Sequence, residues 1–174
     1  MKLFLTTTVL LTTMMLSACS ADKQEKKTLN PQDYQVADTA ALQQRFEQLN
    51  QKLGTDFTAF KKVESLAFSD QFALDVNNLQ TLNQHFVAST ALKSSKIAYC
   101  DLMNGYFTEV YHLGHFNLAM VKDVKLPNAG NEDLGQVFAN TDQFYDFIIN
   151  RYTTYKQAQE TMKYGCNLKA ALTD

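Results

Sequence analysis

The sequence predicts an all-α domain, a bundle of four to five helices behind a flexible N-terminal tether. Three observations predict it. Beyond residue 38, apolar residues recur at the i, i+3, i+4, i+7 spacing of a helix face. No stretch sustains the period-2 alternation of a strand, and no Asn-Gly turn is flanked by alternating apolar runs. Only two prolines interrupt 174 residues, and one of them, Pro31, lies in the polar N-terminal segment.

Each element has its own signals. Leu42, Phe46, Leu49 and Leu53 form one stripe, with Asp38 or Thr39 as its cap and Gly54 as its stop. Phe57, Phe60, Val63, Leu66 and Ala67 repeat the spacing in a second helix capped by Thr55 or Asp56. Leu79, Leu82 and Phe86 make a third stripe within residues 75–92, and Ser94-Ser95 breaks the chain or caps the next helix. Ile97, Cys100, Met103, Phe107, Val110 and Gly114 mark a longer fourth helix, with Cys100 on its apolar side. Residues 121–140 hold Pro127, Gly130 and Gly135 and are the least regular. Within them, Asn131 is the expected cap of a short turn carrying Leu134, Val137 and Phe138. Asn140-Thr141-Asp142 opens the last long helix, whose stripe is Phe144, Phe147, Ile148, Tyr152, Tyr155 and Met162, and Gly165 ends it. Short connections favour antiparallel neighbours.

The start of the chain reads differently. Lys2 is followed by an apolar run from Leu3 to Leu16 that threonines interrupt. It is too short and too polar to span a bilayer, which takes about 20 apolar residues. A positive charge, a short apolar stretch and small residues before a cut describe a secretory signal. Leu16-Ser17-Ala18-Cys19 resembles the lipobox of bacterial lipoproteins. The resemblance implies cleavage before Cys19 and acylation of Cys19, and two or three acyl chains make a lasting anchor. Ser20 in place of Asp implies the outer membrane, on its periplasmic face, as the destination. Residues 1–18 are then a signal peptide, 19–37 an acylated cysteine with a polar tether, and 38–174 a single helical domain.

The resemblance also accounts for three cysteines. With Cys19 acylated, Cys100 and Cys166 remain as a pair in an oxidising compartment, where a disulfide is expected. Two free buried thiols or a catalytic thiol are the alternatives. No Cys-x-x-Cys redox motif occurs.

Charge and motifs narrow the function. The formal net charge is −2, and no basic-aromatic interleaving suggests nucleic acid. Neither a Gly-x-Ser-x-Gly elbow nor a His-Glu-x-x-His pair is present. Glu109, His112 and His115 recur at i, i+3 and i+6 on a helix. This spacing suits a metal ligand set, with His85 as a remote third imidazole. A second Glu-x-x-His is missing, so a boundary histidine pair near a helix end is the plainer reading. The tyrosines of the two long helices read first as core-boundary residues; Tyr145 and Tyr152, seven residues apart, with the loop 122–140, are the place to look for a partner. The resulting expectation is a lipid-anchored envelope protein that binds another envelope protein in assembly, inhibition or immunity. It uses no cofactor and performs no catalysis. A metal- or small-ligand-binding bundle using His112 and His115 is the alternative.

Overall fold

The computed structural model describes residues 29–173. The expected signal peptide, Cys19 and the expected tether as far as residue 28 lie outside the described residues. Among the described residues the regular structure is helical and no strand occurs.

Helix α1 runs from Thr39 to Val63, and the Asp38 carboxylate caps it by accepting the Ala41 amide at 2.8 Å. The two helices expected on either side of Gly54 are one. A glycine inside a helix costs about 1 kcal/mol relative to alanine. The buried stripe Leu42, Phe46, Leu53 and Phe57 runs through Gly54 without a change of phase. Burying Leu53 and Phe57 on one continuous face gains about 1.5–3 kcal/mol each, so packing outweighs propensity.

Residues 64–92 leave the end of α1 and turn back along it, bringing Val76 against Gly54, in turns and two 3-10 segments, Ser65–Ala67 and Leu79–His85. The third stripe is therefore not α-helical. Leu79, Leu82 and His85 are all buried at intervals of three, the repeat of a 3-10 helix.

Helix α2, Lys93–His115, packs antiparallel against α1. The Tyr106 hydroxyl donates to Asn50 at 2.7 Å, and the Ser95 hydroxyl donates to Glu64, at the far end of α1. Two short helices come next, α3 at Leu118–Val121 and α4 at Leu134–Val137. Asp133, not Asn131, caps α4 through the Gln136 amide. Gly114 of α2 lies against the Phe138 ring, where a Cβ would come within 2.2 Å of a ring carbon.

Asn140 caps α5, Thr141–Arg151, as its sequence predicts. The expected single last helix breaks at Tyr152, and α6 runs from Thr153 to Met162. The break lets the Thr154 hydroxyl donate to the Leu79 carbonyl at 2.9 Å, which seats α6 on the 3-10 segment. Lys163, in the left-handed region at φ 54°, ends α6 ahead of Gly165. A further helix absent from the sequence-based expectation, α7 at Leu168–Thr173, returns to α2 and α5.

Cys100 and Cys166 form a disulfide that joins α2 to the turn before α7. It closes a separation of 66 residues, for which chain entropy gives about 4 kcal/mol. The last part of the expected tether is held on the domain. Pro31–Asp33 form a 3-10 turn, and the Val36 amide donates to the Asn117 side chain at 3.2 Å. The Asn117 amide in turn donates to the Tyr34 carbonyl at 2.9 Å. These contacts supply the backbone partners that the polar composition of this segment leaves open.

Candidate functional site

The histidine cluster on α2 is placed by the helix as the spacing requires, but Glu109 and His115 are hydrogen-bonded to groups outside it. Tyr34 lies over Glu109 and His112. Its hydroxyl donates to the Glu109 carboxylate at 2.9 Å, and its ring meets the His112 imidazole edge-on with centroids 5.2 Å apart. His112 is further enclosed by Tyr111 and Phe116, and its Nδ1 is buried without a hydrogen-bond partner. Burial holds the His112 pKa below the usual imidazole value. His115 donates from Nδ1 to the Phe138 carbonyl at 2.9 Å and stacks on Tyr111. Among the described residues no group of three or more His, Cys, Asp and Glu side chains is placed to hold a metal ion. Glu109, His112 and His115 fasten the N-terminal segment and α4 to α2.

His85 lies in a separate cluster with Lys61. Lys61 is 2% exposed, and its ammonium donates to Asp70 at 3.1 Å, the Phe72 carbonyl at 3.0 Å and His85 Nδ1 at 2.8 Å. Three acceptors use all three of its protons. His85 therefore carries its proton on Nε2, and burial, with the nearby Lys61 charge, lowers its pKa. The cluster fixes the crossing segment to the end of α1. Sequence reasoning misses it, although Lys61 falls four residues after Phe57, in phase with the buried stripe.

The expected tyrosine pair is not a surface. Tyr152 is buried against Phe107 and Phe147. Tyr145 is half-buried, with the Lys169 ammonium 5.8 Å from its ring centroid. A seven-residue spacing aligns two side chains only along an unbroken helix, and the helix breaks at Tyr152 itself.

Two other features stand out. The first is an apolar pole where α1 ends and α2 begins. Val63 is 80% exposed, Leu66 100%, Phe72 78% and Leu92 73%. The Lys61–Phe72 and Ser95–Glu64 bonds hold these four at one end of the bundle. Lys62 and Lys93 are exposed beside them. Periodicity alone assigns Val63 and Leu66 to a buried stripe. Val63 lies two residues past the buried Lys61, on the opposite side of α1, and Leu66 lies in the 3-10 turn beyond the helix.

The second is a groove of about 520 Å³ between α1 and α2, closed at one side by Ala171 of α7. Leu49, Leu53 and Leu102 give it an apolar floor, and Gly105 leaves it open, since a Cβ there would meet nothing within 4 Å. Asp56, Asp101 and Glu109 stand along its walls. Lys52 is the basic residue of the lining and pairs with Asp56. A mid-helix glycine in α2 is the legible sign of such an opening.

No family model matches the chain, and no curated protein or solved structure matches it either. No described helix is long and apolar enough to cross a membrane.

Proposed function

We propose that this chain is a lipid-anchored envelope protein that works by binding another protein through its apolar pole, and not by catalysis. The observation that carries the binding reading is the pole itself. Four large apolar side chains, each at least 73% exposed, share one end of a disulfide-linked bundle. Large apolar side chains gathered at one end of a domain, unlike single scattered ones, call for a partner that covers them. Lys62 and Lys93 at its border suit a partner whose apolar contact surface is flanked by carboxylates.

The anchor reading rests on the lipobox Leu16-Ser17-Ala18-Cys19 and is supported by the cysteine count. Of three cysteines, two are bonded to each other within the domain, and the remaining one is Cys19. A disulfide fits an exported protein. Acylated at Cys19, the domain sits at the outer membrane facing the periplasm.

A photo-cross-linking residue placed at Leu66 or Leu92 in cells tests the binding reading. The expected result is one envelope protein captured reproducibly, and capture abolished by Phe72→Ser while the melting temperature holds. Cross-links confined to lipid, or capture that ignores Phe72→Ser, would contradict it.

A further inference from the structure

We propose that the groove between α1 and α2 is the docking site of this chain's own segment Lys23 to Thr28. Three observations point to it. The chain enters the described domain at the groove's mouth. Tyr34 donates to Glu109, a residue of the groove wall, and the Asp33 carbonyl accepts from Arg45, one turn before Leu49 on α1. The described chain is thus fastened at Tyr34 to the Glu109 end of the groove, a few residues after Thr28.

Length agrees. From Arg45 to Asp56 the helix rises about 16 Å. Lys23 to Thr28, fully extended, reaches about 20 Å. The segment spans the groove from Glu109 to the level of Asp56 and Asp101.

Charge agrees as well. The segment reads Lys-Gln-Glu-Lys-Lys-Thr, a net charge of +2 once Glu25 is counted, against a wall whose Asp56, Asp101, Glu109 and Lys52 sum to −2. Among the described residues the wall's one cation, Lys52, is already paired with Asp56. The apolar floor of Leu49, Leu53 and Leu102 offers a seat for the lysine stems. Finally, attachment in the same chain presents the segment at a high effective concentration, so a groove of this size needs only modest intrinsic affinity to be filled.

Docking has a geometric consequence. It carries residue 19 toward the end of α1 that bears the apolar pole, and release moves that pole away from the point of anchorage. The docking claim stands or falls independently of the pole's partner.

The test places a photo-cross-linking residue at Gln24 in the full chain expressed in cells, with peptides mapped by mass spectrometry. The expected result is linkage to residues 49–56 and 101–109. In a sample mixing light and heavy-isotope chains, each linked pair is all light or all heavy. Gly105→Leu, which fills the groove, and a Lys23→Glu, Lys26→Glu, Lys27→Glu variant each reduce that linkage at least tenfold. If Gly105→Leu lowers the melting temperature, the charge variant alone decides. Links that map to other faces, join two chains, reach a foreign peptide or lipid, or persist in the charge variant overturn the proposal.

Discussion

The Tyr34 hydroxyl donates to the Glu109 carboxylate at 2.9 Å across 75 residues of sequence. This bond, with the Tyr34 ring on His112 and Phe116, closes the start of the described chain onto α2. Tyr34→Phe keeps the ring and removes the bond. A hydrogen bond to a charged group contributes about 1.5–3 kcal/mol, and its solvent exposure places the loss at about 1 kcal/mol. Amide hydrogen exchange at residues 32–37 should accelerate several-fold while exchange in the α2 core is unchanged.

Two glycines of α2 should respond in opposite senses. At Gly114 a Cβ would overlap the Phe138 ring, itself fully buried. Gly114→Ala should lose about 2–3 kcal/mol through overpacking. At Gly105 a Cβ meets open space, so Gly105→Ala should gain about 0.5–1 kcal/mol from helix propensity. Urea midpoints of the two variants check both signs.

Tyr99 is fully buried, and its hydroxyl has no hydrogen-bond partner. Leaving a buried polar group unsatisfied costs about 1–3 kcal/mol. Tyr99→Phe removes the group and keeps the ring that packs on Phe57. Stability should rise by about 1 kcal/mol, read from thermal or urea unfolding.

Acid should weaken the domain through two imidazoles, those of His85 and His112. Burial lowers the folded-state pKa of both below the ordinary 6.5. The folded protein thus holds them neutral at a pH where the unfolded chain has bound protons. Their contribution is fully present above pH 6.5 and is lost as pH falls from there through the folded values. For His85 the cause is concrete, since a protonated Nδ1 cannot accept from Lys61. Urea unfolding between pH 8 and pH 5 should show falling stability, with a flatter profile in a His85→Asn, His112→Asn variant.

Much of the fold is legible where one signal acts alone. Asp38 and Asn140 cap helices as their side-chain chemistry dictates, and the stripe of α2 buries Cys100, Met103 and Phe107. Expectation and structure part where local and tertiary terms compete. Gly54 reads as a stop because propensity is local, whereas the stripe on both sides of it decides. The break at Tyr152 depends on a partner, the Leu79 carbonyl, that lies far away in sequence. Periodicity also counts Leu79 and Leu82 as α-helical, although three-residue spacing belongs equally to a 3-10 turn.

The candidate site is harder to read. Glu109 and His112 have the spacing of ligands, but nothing in that spacing foretells Tyr34 lying over them. Tyr145 and Tyr152 form a surface pair only on an unbroken helix. The apolar pole is hidden because exposed and buried apolar residues are alike in sequence, and an i+3 march from Phe57 through Phe60 to Val63 drifts off the face that Lys61 continues.

The anchored reading turns most directly on the chemical state of the three cysteines, and intact-mass and peptide mass spectrometry of the protein from its own membranes reads that state. The predicted result is a chain beginning at Cys19, diacylglyceryl-modified there, with the Cys100 and Cys166 peptides linked to each other. A chain that begins elsewhere, or an unmodified Cys19 thiol, would contradict it.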